Sequence, residues 1–176
     1  MLNISIMFKI PEVMLNYWKG QAEPKATTFD IMRIESAIGL KLPTAYTDFV
    51  TQFGFVIFDD VPGMRCLFDY IISFPDRKEI HEGDVGFFLE PERVLSTYEI
   101  LTTKQFEIDD EFPKFPTKYL PVGNDAGQGK ILLELGEHAG RVWYWPFNEW
   151  AWGVEHNTWI GLVAEDFYDF INRLHS

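Results

Sequence analysis

The segment 123–130 has the glycine-rich composition of a phosphate-binding loop. A loop of that kind has four residues between its first and last glycines, and a Ser or Thr after the lysine supplies a magnesium ligand. Here five residues separate Gly123 from Gly129, and Ile131 follows Lys130. The segment also leads into an alternating strand pattern, so no helix N-terminus is available for phosphate. The sequence therefore predicts a glycine-rich hairpin loop.

Histidine and cysteine do not complete a metal-binding or catalytic set. The run 81–84 offers His81, Glu82 and Asp84 as ligands, but its composition is that of a charged loop, for which a solvated surface is the more common outcome. Cys66 is the only cysteine, which excludes an internal disulfide and a cysteine-based zinc site. A lone cysteine beside apolar residues is typical of a small buried side chain. We therefore expect no metal ion and no cofactor.

Adjacent acidic residues are the remaining candidates for catalysis. Paired carboxylates can hydrolyse glycosides, and Asp59 with Asp60, and Asp109 with Asp110 and Glu111, are such neighbours along the chain. Adjacent residues usually diverge or sit in water, however, and an acidic run is usually a solvated loop. We therefore expect that the chain is not an enzyme. A small hydrolase or ligand-binding protein that uses these acids is the third hypothesis.

Composition and charge restrict the class of partner. The 176-residue chain is 47% hydrophobic and 16% aromatic, which suits one folded domain with a single core. Its net charge of −12 argues against binding to nucleic acid or to an anionic membrane. Residues 76–112 hold eleven acidic and four basic residues, a net charge of −7. Such a segment favours a basic protein as the partner, because opposite charges accelerate association.

Tryptophans near these acids add candidate contact residues. Aromatic side chains beside charged groups make good interface anchors. The alternation of tryptophans in the segment 143–152 places two of them on each face of a strand. The predicted partner-binding residues are Asp59, Asp60, Asp109, Asp110, Glu111, Trp150 and Trp152.

We expect neither a signal peptide nor a membrane-spanning helix. Residues 1–10 are apolar but lack a basic start, and Pro11 and Glu12 interrupt them, so a signal peptide is not expected. No stretch reaches the roughly 18 apolar residues of a membrane-spanning helix. A single cysteine is compatible with a reducing compartment, and the expected location is the cytoplasm.

The apolar pattern predicts helices towards both ends of the chain and strands between them. One helix begins at a capping box formed by Thr27 and Asp30 and ends at Gly39, and another follows Pro43. Further helices are predicted after Pro91 and at the end of the chain. Strands are predicted at residues 55–58, 67–74, 87–89, 119–122, 130–135 and 141–146. Short turns between them favour antiparallel pairing, which gives a single α+β domain with a mostly antiparallel central sheet flanked by helices.

Four motifs follow one another in a specific order. They are residues 31–49 with Gly39, Leu42 and Pro43; residues 120–133 with Gly123, Asp125 and Gly129; residues 140–145; and residues 164–171. In content and order, these motifs resemble the SUKH superfamily of SMI/KNR-like proteins over residues 28–174. The resemblance implies a SUKH-like domain over residues 25–176. Residues 1–24 precede it as an N-terminal extension, and Tyr17 and Trp18 predict that this extension packs on the body.

The resemblance also implies binding without catalysis. Bacterial members of the superfamily are largely immunity proteins, which bind and neutralise a cognate toxin of a polymorphic or contact-dependent system. A toxin that targets nucleic acid tends to be basic, which fits the net charge of −12. Fungal members act in cell-wall regulation, so a regulatory scaffold that binds an endogenous protein is the second hypothesis.

Reversal of Asp109, Asp110 and Glu111 to lysine is expected to slow association with the partner, because it removes opposite charge from the predicted interface. The same change should flatten the dependence of the association rate on salt. Stopped-flow association at several ionic strengths measures both effects. An unchanged association rate would place the interface elsewhere.

Overall fold

The computed structural model describes residues 8–10, 15, 25–54, 65–103, 114–146, 152–153 and 157–176. Within these residues it shows four α-helices and seven strands, which confirms the predicted α+β fold. The helices are α1 (Thr28–Ile38), α2 (Thr44–Gln52), α3 (Pro91–Thr103) and α4 (Phe167–Asn172). The strands are β1 (Leu67–Ser73), β2 (Lys78–Asp84), β3 (Phe87–Phe88), β4 (Tyr119–Asn124), β5 (Lys130–Glu134), β6 (Val142–Trp145) and β7 (Gly161–Ala164).

The seven strands form one curled sheet in the order β2-β1-β7-β6-β5-β4-β3, and every pairing is antiparallel. The two edge strands, β2 and β3, follow each other along the chain with only Val85 and Gly86 between them. The Val85 N–H donates to the Cys66 carbonyl at 2.8 Å, and the Gly86 N–H donates to the Asn124 carbonyl at 2.9 Å. A side chain on Gly86 would approach the Asp125 backbone to 2.6 Å, so only glycine fits this corner.

Helix α1 has the ends that the sequence predicts. The Thr27 hydroxyl accepts from the Asp30 N–H at 3.2 Å, and the Asp30 carboxylate accepts from the Thr27 N–H at 2.9 Å. Gly39 ends the helix with φ of 71°, a left-handed conformation that glycine adopts without strain. Pro43 occupies the N-cap position of α2 without a side-chain capping bond, and the helix follows it as the sequence predicts.

Glu35 fixes the connection between α1 and α2. Its carboxylate accepts hydrogen bonds from the Leu42 N–H at 3.0 Å and from the Lys41 ammonium at 2.5 Å. The bond from Lys41 is the main cause that lowers the pKa of Glu35. The motif over residues 31–49 therefore has a structural basis, since one carboxylate joins the end of the first helix to the start of the second.

The main core lies between α2, α4 and the inner face of the sheet. Aromatic rings fill much of it, and Phe49 of α2 packs against Phe167 of α4 with centroids 5.4 Å apart. Phe170 of α4 packs edge-on against Phe68 of β1 at 5.7 Å. The motif residues Leu42, Phe49, Ile131 and Phe170 are all buried.

A second, smaller cluster covers part of the outer sheet face. Its buried members are Phe115, Tyr119, Leu132, Trp145 and Trp152. The predicted alternation along β6 is confirmed, because Val142 and Tyr144 belong to the main core while Trp143 and Trp145 pack with this outer cluster. Both sheet faces therefore carry apolar side chains, and the buried strand residues of the outer cluster in the described part of the chain lie on β4, β5 and β6.

Three strand predictions differ from the structure. The run 81–84, predicted as a charged loop, belongs to the edge strand β2, and the short strand β7 was not predicted. Only Gly83 of β2 is buried, so this edge strand has no alternation of apolar and polar residues that would identify it in the sequence. Trp152 was predicted on an alternating strand but lies in a turn. The predicted strand 55–58 lies outside the described residues.

Phe8 connects the N-terminal segment to the helices. Its ring packs against Phe49 and Phe53, each at 5.6 Å, and against Tyr168 at 4.7 Å. The Lys9 N–H also donates to the Asn172 side chain at 2.6 Å. The extent of the extension over residues 1–24 stays a prediction, since most of those residues lie outside the described part of the chain.

Truncation of Phe170 to alanine is expected to lower the free energy of unfolding by about 3–5 kcal/mol, because the cavity lies where several rings meet. Phe29→Ala is the matched control, since Phe29 is 71% exposed, and it should change stability by less than about 0.5 kcal/mol. Urea denaturation measures both. Near wild-type stability of Phe170→Ala would contradict the packing of α4 on the sheet.

Candidate partner-binding surface

Helix α1 presents apolar side chains to solvent as well as to the core. Ile34 faces inward and is buried, whereas Phe29, Met32 and Leu40 are 71%, 60% and 44% exposed. Phe29 and Met32 are one helical turn apart, and Leu40 follows just beyond the helix end. We call Phe29, Met32 and Leu40 the α1 stripe. Because α1 already contributes Ile34 to the core, its packing does not require this second apolar face.

A groove with a volume of about 390 Å³ lies against the α1 stripe. Its lining residues are Met32, Glu35, Ser36, Gly39, Leu40 and Lys41. Lys41 is highly exposed where it pairs with Glu35, so the groove has an apolar wall and a charged rim. An exposed apolar patch with a polar rim is typical of a protein-binding surface.

The outer face of the β1–β2 hairpin is a second exposed surface. Ile71 and Ile80 lie opposite each other in the strand register, and Ile80 is 73% exposed. Asp69 and Glu82 form the next pair on the same face. We call these four residues the hairpin face. Two exposed apolar residues beside two acids can contribute to binding, but they form a smaller apolar surface than the α1 stripe.

The acidic segment 76–112 is divided between two parts of the fold. Four of its described acids, Asp76, Glu79, Glu82 and Asp84, lie in or next to β2. Three others, Glu90, Glu92 and Glu99, lie in or next to α3. The described acids of this segment are therefore divided between an edge strand of the sheet and a helix.

Most of the partner-binding residues predicted from the sequence lie outside the described residues. They are Asp59, Asp60, Asp109, Asp110, Glu111 and Trp150. Trp152 is described and is buried, with ring contacts to Phe115 at 4.9 Å and to Trp145 at 5.4 Å. It therefore presents little surface to a partner in this conformation, and its role in binding stays a prediction.

The glycine-rich loop between β4 and β5 is organised by Asp125. One carboxylate oxygen of Asp125 accepts the N–H groups of Gly127 and Gly129 at 2.8 and 2.9 Å, and the other accepts the Tyr144 hydroxyl at 2.5 Å. These two N–H groups already bind a carboxylate, so they are not free for phosphate. The predicted hairpin loop is confirmed, and burial followed by the bond to Asp125 raises the pKa of Tyr144.

Glu134 is a buried carboxylate that the sequence did not single out. It is 3% exposed, accepts the Trp143 indole N–H at 2.8 Å and pairs with the Lys118 ammonium at 3.2 Å. Its position at the end of the alternating strand β5 gave no sign of burial, because the residues that cover it come from β6 and from the segment before β4. The carboxylate has two strong partners, which satisfies its charge within the fold.

Cys66 and His81 are both engaged in packing. Cys66 is buried, and burial together with the nearby Asp84 raises the pKa of its thiol to about 12, so it is protonated at neutral pH. The His81 ring stacks on Tyr70 at 5.4 Å and lies 3.3 Å from a Glu79 oxygen.

Comparison with known proteins identifies a family. The family model described as SMI1 / KNR4 family (SUKH-1) matches residues 25–173. This range contains all four helices and all seven strands described above. No curated protein and no solved structure matches the chain. In the described part of the chain, no helix has the length and apolar character to cross a membrane.

Replacement of Asp125 by alanine is expected to destabilise the protein by about 1–3 kcal/mol, because three donors lose their shared acceptor. Tyr144→Phe removes one of these bonds and should cost about 1 kcal/mol. Asp76→Ala, at an exposed turn, is the matched control and should stay within about 0.5 kcal/mol. Urea denaturation gives the three values.

Alkaline pH adds a second test of the same contact. The folded state holds the Tyr144 proton more tightly than the unfolded chain does, because burial and the bond to Asp125 raise the pKa of Tyr144. The free energy of unfolding that this protonated hydroxyl contributes is intact below the ordinary tyrosine pKa of 10.0 and is lost as pH rises above it. Stability of Tyr144→Phe should therefore fall less steeply above that pH. Equal slopes for the variant and the wild type would contradict the buried contact with Asp125.

Proposed function

This chain belongs to the SMI1 / KNR4 family (SUKH-1), and from that premise we propose that it is a non-catalytic immunity protein. It binds a cognate toxin stoichiometrically and blocks it. The toxin is basic and acts on nucleic acid, because such proteins present positive charge to phosphates and are complementary to a chain with a net charge of −12.

The α1 stripe is the observation that supports this proposal most directly. Binding without catalysis needs a surface whose apolar side chains lose water only in the complex. Phe29 and Met32 are of the types enriched in interface centres, and both are more than half exposed in the free chain. The groove beside them can receive a side chain of the partner, and its rim of Glu35 and Lys41 can set the orientation.

Long-range charge complements this local contact. The described acids of the segment 76–112 lie in or next to β2 and α3, and they contribute to the net charge of −12 that attracts a basic partner. Electrostatic steering raises association rates towards about 10⁸–10⁹ M⁻¹s⁻¹ at low salt. The negative charge therefore accelerates encounter, while the α1 stripe slows dissociation.

Co-expression with a candidate toxin from a neighbouring gene tests the proposal. The wild-type chain should protect the cells, and a Phe29→Asp, Met32→Asp double variant should not, because it places charge in the centre of the interface. In purified form the double variant should bind about 30-fold more weakly or worse, which corresponds to about 2 kcal/mol for an interface hot spot.

Ile80→Asp is the matched control, since Ile80 is an equally exposed apolar residue on the hairpin face. It should retain protection, and urea denaturation should show both variants folded. If the double variant protects as well as wild type while Ile80→Asp does not, the interface lies on the hairpin face. If the wild-type chain gives no protection, immunity against that toxin is excluded, and a regulatory scaffold for an endogenous protein becomes the leading hypothesis.

A further inference from the structure

Three side chains from separate parts of the sequence meet at one end of the hairpin face. They are Asp69 on β1, Glu82 on β2 and His175 near the end of the chain. One ligand atom of each lies within 4.8 Å of the other two, and all three side chains are exposed. We call them the Asp69–Glu82–His175 cluster.

Backbone pairing holds the cluster together. Asp69 and Glu82 lie directly opposite each other in the register of β1 and β2. His175 forms an isolated bridge with Leu67, in which its carbonyl accepts at 2.7 Å and its N–H donates at 3.0 Å. Leu67 and Asp69 are two residues apart on one strand and share a face, so His175 lies on the face that carries both acids.

The two carboxylates are uncompensated within the part of the chain that the structure describes. Neither Asp69 nor Glu82 makes a hydrogen bond or an ion pair there, although both face each other across neighbouring strands. Like charges in that position destabilise a sheet. The neighbouring pairs on this face are Ile71 with Ile80 and Leu67 with Asp84, and neither pair supplies positive charge.

We propose that the Asp69–Glu82–His175 cluster binds Zn²⁺. An imidazole nitrogen with two carboxylate oxygens suits zinc, whereas calcium and magnesium prefer oxygen alone. Ligand atoms around a tetrahedral zinc are about 3.4 Å apart. Rotation of the exposed side chains that moves their ligand atoms by about 1 Å therefore brings the three atoms to this separation. Three protein ligands leave the fourth position to water. The ion neutralises both acids and links β1, β2 and the segment after α4.

The sequence run 81–84 does not form this site by itself. Strand alternation turns the His81 ring to the opposite face, where it stacks on Tyr70. Only Glu82 of that run reaches the cluster, and its two co-ligands are distant in sequence. This separation is the reason that inspection of local spacing gave no metal site.

Calorimetric titration of the tag-free full chain with ZnCl₂ tests the proposal. We expect one zinc per chain, and a loss of affinity of at least about tenfold in His175→Ala and in Glu82→Gln, since even outer-shell partners of zinc ligands change affinity by about 10–100-fold. His138→Ala and Glu137→Gln are the matched controls, because both residues are exposed and lie outside the cluster. These two variants should bind zinc as the wild type does.

Thermal denaturation gives a second test, in which zinc should reverse the order of the melting temperatures of Glu82→Gln and the wild type. Without zinc, Glu82→Gln should melt at a higher temperature than wild type, because the repulsion with Asp69 is gone. With zinc at a concentration that saturates the wild type the order should reverse, because the wild type binds the ion more tightly and is stabilised more by it. No saturable binding, equal affinity in His175→Ala, or an equal loss in His138→Ala overturns the proposal.

This inference is independent of the proposed immunity function. The Phe29→Asp, Met32→Asp variant should bind zinc normally, and His175→Ala should still protect cells against the toxin. Loss of zinc binding with protection intact therefore tests the metal site alone.

Discussion

Contact between aromatic rings of α2 and α4 and those on the inner sheet face is the interaction on which the rest of the structure depends. Phe49 and Phe170 bring rings from the two helices into contact with Phe88 of β3, and Phe170 also contacts Phe68 of β1. Large rings bury much apolar area and prefer edge-on contacts, so strands far apart in the sheet must approach the same small set of side chains. The sheet curls as a result, so its two edge strands, which are consecutive in the chain, meet at the glycine corner of residue 86.

The limited extent of the outer cluster has a direct consequence for the surface. Trp145 and Trp152 cover the outer face at β4, β5 and β6, but the described residues include no comparable cover over β1 and β2. Ile71 and Ile80 consequently remain in water, and so do the acids beside them. The hairpin face and the proposed zinc site are therefore located where the second apolar layer ends.

Helix α1 and the charge of the chain act over different distances. The α1 stripe can act only on contact, because the hydrophobic effect requires removal of water from the two surfaces. The negative charge acts further away, over a range of about 8 Å at physiological ionic strength. A non-catalytic binder of a basic protein needs both features, since the charge sets the rate of encounter and the apolar contact sets the lifetime of the complex.

The sequence by itself determined the features that depend on neighbouring residues. The capping box at Thr27, the end of α1 at Gly39, the alternation along β5 and β6 and the order of the family motifs were all readable, because caps and strand periodicity are local. Only the tertiary structure decided the features that depend on partners distant in the chain. Edge strand β2, buried Glu134 and the approach of His175 to Asp69 are of this kind, because their burial, pairing and charge are set by segments that no local pattern identifies.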